Sequence, residues 1–156
     1  MMTTTSDSTT KETTTVKAID DLLANCQIFY QNLQGLHWNI EGILFFELHK
    51  KYEKLYDYVG NIADELAERI RAFDETPTHT FSKYLEMSDI EEVSDVKDGS
   101  AGVAHIIESL NTIIEKEKKL MELAKKDKDE ATLALVSAYV LEQEKCLWMF
   151  SSYAKA

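Results

Sequence analysis

The residues able to do chemistry in this chain crowd into one stretch, His37 to Arg71. Two imidazoles, His37 and His49, and three carboxylates, Glu53, Asp64 and Glu68, fall within it. His49 and Glu53 are four residues apart, and so are Asp64 and Glu68, so on a helix each pair shares one face a turn apart. Imidazole with carboxylate, and no thiolate nearby, is a donor set for iron or a similar divalent ion; closed structural zinc sites draw on thiolates.

Those residues need a long helix, and the sequence supplies one from about Ile43 to Phe73. Phe45, Leu48, Tyr52, Leu55, Val59, Ile62, Leu66 and Phe73 form its core stripe. Beside it runs a polar or small stripe of His49, Glu53, Gly60, Asp64, Ala67, Glu68 and Arg71. A preceding helix begins near Val16, with Ile19, Leu22, Leu23, Cys26, Phe29, Tyr30, Leu33 and Leu36 at three-four spacing. The break at Asn39–Gly42 folds it back, which brings His37 towards His49. Residues 78–101 make a long acidic connection in which Phe81 to Met87 form a short helix. Two further helices follow, about Gly102 to Lys126 and Ala131 to Tyr153. The expected fold is all-α: a four-helix bundle with one long crossover, the ferritin-like plan.

Helix rise places His49 and Asp64 about 22 Å apart, too far to share an ion within one chain. The pairs 49/68 and 53/64 are nevertheless centred on the same point, between Tyr58 and Val59. Two copies packed antiparallel about a two-fold axis there would set His49 against Glu68 of the other copy, and Glu53 against its Asp64. Two equivalent centres would result, and Gly60 beside the axis leaves room for the backbones to approach.

The chain has 156 residues, one proline, five glycines and a formal charge of −11. That bounds it to one domain, mostly helical, with an acidic surface suited to cations rather than nucleic acid or anionic membrane. Residues 1–15 hold eight threonines and almost nothing apolar, and are expected to be a disordered tail before a domain spanning residues 16–156. Cys26 and Cys146 lie in no metal-ligand pattern and read as reduced, buried thiols of a cytoplasmic protein. No segment reads as a signal peptide or a membrane span.

His37-Trp38-Asn39, Gly42, Phe45 and Leu48-His49, followed by Asp64-x-x-Ala67-Glu68-Arg69, closely resemble the motif of the Dps proteins, the mini-ferritins. The resemblance implies a shell of twelve subunits built from two-fold dimers, with a di-iron or mono-iron ferroxidase centre between partners. Carried over, His37, His49 and Glu53 come from one subunit, and Asp64 and Glu68 from the other. It implies oxidation of Fe(II), by hydrogen peroxide in preference to dioxygen, storage of ferric oxyhydroxide, and protection from oxidative damage. One departure stands out: Glu53 occupies a position that is often Asp in the family. Classical ferritins use Glu-x-x-His within one subunit, and that motif is absent here. Asp127, Asp129 and Glu130 read by themselves as an acidic turn; the resemblance implies that they line a three-fold pore that draws iron inward by its negative field. Some family members also bind and protect nucleoid DNA through basic tails. Here the tail has only Lys11, offset by Asp7 and Glu12, which argues against DNA binding. Trp38, Tyr52 and Tyr56 read as core packing, and His79 and His105 are assigned no role.

Overall fold

The computed structural model describes residues 6–155, with side chains from residue 14 onward. Five helices occur among them, α1 Ser6–Asn39, α2 Phe45–Ala72, α3 Phe81–Met87, α4 Gly99–Lys126 and α5 Glu130–Ala154, and no strand. None is long and apolar enough to cross a membrane.

The expected onset near Val16 requires correction, because helical backbone extends to Ser6. Helix propagation needs only one added bond per residue once a nucleus exists, so weak formers such as threonine can follow a strong segment. Thr15 is buried and its hydroxyl donates to Asp127 at 2.7 Å, which ties this stretch to the turn after α4. Residues 1–5 of the expected tail lie outside the described residues.

Ile19, Leu22, Phe29 and Leu33 are fully buried on α1, as are Tyr52 and Leu66 on α2. Phe45 and Phe73, expected in the α2 core stripe, are only half-buried at its ends. The short break works through Gly42, whose φ of 106° a side chain would resist. Helices α1 and α2, and likewise α4 and α5, are therefore antiparallel neighbours. The crossover returns to the start of α2: the Glu41 amide donates to the Lys97 carbonyl at 3.0 Å. Asp98 then caps α4, accepting from the Ala101 amide at 2.9 Å. So α2 and α4 run parallel.

Polar side chains of α1 hold the crossover in place. Asp20 accepts from the Thr78 amide and hydroxyl. Asn25 Oδ1 accepts from the Asp89 and Ile90 amides. Asn32 accepts from the Val93 amide and donates to the Glu91 carbonyl. Lys116 of α4 closes the same seam on Asp21 and Asp89. A long connection is thereby fixed at its backbone, satisfying groups that would otherwise be buried unpaired.

Candidate metal centre

The end of α1 and the start of α2 bring His37 and His49 together as stacked rings, with centroids 3.7 Å apart and planes 14° from parallel. Each ring is oriented by the other's backbone. His37 Nδ1 donates to the His49 carbonyl at 2.5 Å, and His49 Nδ1 donates to the His37 carbonyl at 2.7 Å. With Nδ1 committed as donor, Nε2 is the nitrogen whose lone pair remains for a ligand in the neutral ring. This is the arrangement that commonly orients metal-binding histidines.

Aromatic rings frame the pair. Phe45 stacks on His49 at 4.8 Å, and Tyr56 meets His37 edge-on at 5.4 Å. Tyr30 in turn meets Tyr56 edge-on at 5.7 Å. A Cβ on Gly60 would lie 3.0 Å from the Tyr30 ring. Within one chain, the space that Gly60 leaves is filled by the Tyr30 ring. Of the other aromatics near the site, Tyr52 is fully buried while Trp38 is largely exposed.

Glu53 stands one turn beyond His49 on an exposed face. Its charge reaches Tyr56, whose phenol is pushed up first by burial and then by Glu53 and Asp57. Asp64 and Glu68 sit together, exposed, at the other end of α2. Glu68 is raised above the ordinary carboxylate range, chiefly by the charge of Asp64 and a side-chain hydrogen bond with it. Asp64 also lines a shallow groove with Tyr30, Asp57, Gly60 and Asn61. Among the described residues of one chain, no three of His, Cys, Asp and Glu converge on a common point. The structure thus joins His37 to His49 and Asp64 to Glu68, and keeps the two pairs apart.

The turn before α5 uses its acids locally. Asp129 caps α5, accepting from the Thr132 amide at 3.0 Å and from Arg69 at 3.1 Å. Burial opposes its ionisation, but the Thr132 bonds and the Arg69 charge hold its carboxyl below the usual range. Asp127 accepts from Thr15, and Glu130 is exposed. Arg69 had no role legible in the motif; here it also donates to the Thr132 hydroxyl and lies 4.8 Å over the Phe73 ring, fastening α2 to α5. His79 donates to the nearby Pro77 carbonyl. His105 packs beside Asn32 and Ser109, where burial pushes its imidazole down against the opposing effect of Glu108.

A ferritin-like domain model matches residues 16–156. A DNA protection during starvation protein, or Dps, from Porphyromonas gingivalis is 39% identical over 139 residues, covering 89% of this chain and 87% of its own. The chain belongs to the Dps family of ferritin-like proteins. Two solved structures agree. The Dps protein of Vibrio cholerae O1, described as one of the ferritin-like diiron-carboxylate proteins, superposes with a TM-score of 0.93 at 41% identity, covering 94% of this chain and 92% of that one. Dps from Staphylococcus aureus superposes with a TM-score of 0.88 at 30% identity, covering 91% and 95%. Dps membership carries a mini-ferritin role and the handling of iron in general.

Proposed function

We propose that this protein is a ferroxidase that takes Fe(II) as substrate at centres shared between two-fold partners. His37, His49 and Glu53 serve from one subunit, and Asp64 and Glu68 of the partner subunit complete the set. The observation that carries the reading is the reciprocal His37–His49 lock, which stacks the two rings and commits each Nδ1, leaving Nε2 as the nitrogen for a ligand. The self-repelling Asp64–Glu68 pair is its natural complement, since a cation between the carboxylates relieves their repulsion.

Oxidation adds one positive charge to each iron, and fixed carboxylates favour that product. Hydrogen peroxide is the oxidant we favour over dioxygen. Two Fe(II) ions give one electron each, the peroxide O–O bond breaks, and two protons are taken up to give two waters. Paired oxidation of this kind releases no hydroxyl radical. The ferric product hydrolyses and is kept as oxyhydroxide inside a shell of twelve subunits built from two-fold dimers, in the cytoplasm. Iron enters at three-fold openings where the free charges are those of Asp127 and Glu130, Asp129 being answered by Arg69.

The Porphyromonas relative is named for DNA protection. Removing iron and peroxide spares DNA without touching it, and a formal charge of −11 disfavours contact with phosphate. A gel shift at low salt should therefore find no complex; a retarded band there would revive a DNA-binding role.

Subunit mixing tests the shared centre. A variant with His49→Ala and Glu53→Ala lacks one half, and a variant with Asp64→Ala and Glu68→Ala lacks the other. Each alone should fail to consume peroxide with Fe(II). In mixed dimers one centre collects both defects and the other is native, so co-assembly should restore up to half the wild-type activity. Verified mixed dimers without recovery would sink the proposal.

A further inference from the structure

Far from the histidines, the bundle interior holds a carboxylate with no exposed surface, Glu117 of α4. It occupies a slot in the inward stripe between Ile113 and Leu120, where the helix period calls for an apolar residue. Gln143 of α5, 2% exposed, faces it and donates its amide nitrogen to Glu117 Oε1 at 2.7 Å. Each side chain keeps a second oxygen. Glu117 Oε2 and Gln143 Oε1 are both buried, and neither has a hydrogen-bond partner.

If Glu117 were ionised, both of those oxygens would remain unpaired acceptors beside a buried charge that no cation answers, which is costly on each count. A single proton on Oε2 resolves both. A carboxylic acid and a carboxamide are complementary: the acid O–H donates to the amide oxygen while the amide N–H donates to the acid oxygen. We propose that Glu117 is kept as the neutral acid and closes this two-bond ring with Gln143, forming a proton-dependent latch between α4 and α5.

Apart from the Gln143 amide, nothing around Glu117 favours its anion. From α1, the Cys26 thiol is pushed up by burial and then by Glu117. From α2, the buried Tyr58 hydroxyl lies beside Gln143 and interacts with that amide without reaching full hydrogen-bond geometry. Burial raises the Tyr58 phenol; Gln143 opposes this, and Glu117, Glu142 and Cys146 add to the rise. From α5, Tyr139 is buried and donates to Glu65 at 2.5 Å rather than towards Glu117. Burial pushes the Glu117 carboxyl up from 4.5 to about 8, the Gln143 bond opposes it, and no cation contributes.

The sign of the effect is fixed. A carboxyl whose value rises on folding holds its proton longer in the native state. Its stabilising contribution is complete below the unfolded value of 4.5 and is lost as pH rises to about 8. Within that window each pH unit multiplies the unfolding equilibrium by up to ~10-fold.

Two measurements on the assembled full-length protein test the latch, and neither depends on the iron chemistry. Infrared spectra at pH 7 should show the carbonyl band of a protonated glutamic acid, assigned by ¹³C-glutamate labelling. The band should be missing in Glu117→Gln and fade as wild type passes about pH 8. Glu117→Gln keeps a two-bond amide ring with no proton to lose. In urea unfolding, wild type should therefore weaken relative to the variant between pH 5 and 8 by up to ~10-fold per unit, and then run parallel to it. Absence of the band at pH 7, or parallel curves throughout, would overturn the proposal. If Glu117→Gln does not fold, the labelled band in wild type decides alone.

Discussion

The histidine end of α2 is a packed, internally bonded corner, whereas the carboxylate end, about 22 Å along the same helix, is open and self-repelling. His37 and His49 are gripped by each other's carbonyls and framed by Phe45 and Tyr56. Asp64 and Glu68 are exposed, and the charge of one resists ionisation of the other. In the proposed centre, one half is therefore built before any ligand arrives, and the other is left unsatisfied in the lone chain. A nitrogen ligand needs its tautomer and direction fixed by neighbours. A carboxylate pair needs only a cation to remove its repulsion. The difference assigns stability to the first half and charge to the second.

That contrast predicts equal losses of activity and unequal losses of stability. Asp64→Asn with Glu68→Gln should lower Fe(II) oxidation at least ~100-fold, the upper range for losing even an outer-shell partner of a metal site. Yet it should change urea stability by no more than about 0.5 kcal/mol, as exposed substitutions do. His49→Ala should cost the same activity and also about 1–3 kcal/mol, because it removes a part-buried hydrogen bond and leaves the His37 carbonyl without that donor. Oxidation rates measured beside urea midpoints check both. Equal stability losses from the two variants would break the comparison.

A similar division runs through the acids of the turn before α5. Asp129 is committed to capping and to Arg69, while Glu130 points outward. Asp129→Ala should cost about 1–2 kcal/mol, the usual value of a lost N-cap, with little change in iron uptake. Asp127→Asn with Glu130→Gln should do the reverse: uptake slows at low salt and recovers towards wild type as salt screens the field. Stopped-flow uptake at two ionic strengths separates the cases. Slower uptake in Asp129→Ala at unchanged stability would return that residue to the pore.

Periodicity alone exposed the helices, because their buried faces are long and regular. The short helix from Phe81 to Met87 emerged with its observed bounds. The centring of the two proposed ligand pairs on Tyr58 and Val59 follows from residue numbers and helical rise, and the pairing across a two-fold axis stands as a proposal. Less legible were contacts between residues distant in sequence. Nothing near Arg69 announces Asp129, sixty residues away. Nothing near Gly60 announces the Tyr30 ring packed against it, because that ring comes from another helix. Asp20, Asn25 and Asn32 looked like ordinary polar positions on α1 until the crossover lay against them. Glu117 and Gln143 did leave a trace: each interrupts an apolar stripe where the period calls for a core residue.

The smallest expected effect concerns the acid limb of iron oxidation, which the open half should set. Glu68 is the group whose ionisation the neighbouring charge opposes, so it should set the limb. Glu68 is raised first by the charge of Asp64, then by their hydrogen bond, then by burial, and last by Glu65. A raised carboxyl stays protonated to a higher pH, and the protonated form is a poor ligand for Fe(II). Oxidation should therefore begin to fall, on acidification, above the ordinary carboxylate range. Glu65→Gln removes the weakest of those causes while keeping an oxygen that can accept from Tyr139. It should move the limb slightly to lower pH. The shift should shrink at high salt, because these side chains are exposed and their repulsion is screened. Tyr56→Phe, on the histidine side, removes a phenol and no carboxylate, so it should leave the limb where it was. Initial rates across the acid range at two salt concentrations provide the measurement. A limb that ignores Glu65→Gln at low salt but moves with Tyr56→Phe would transfer the titration to the packed half.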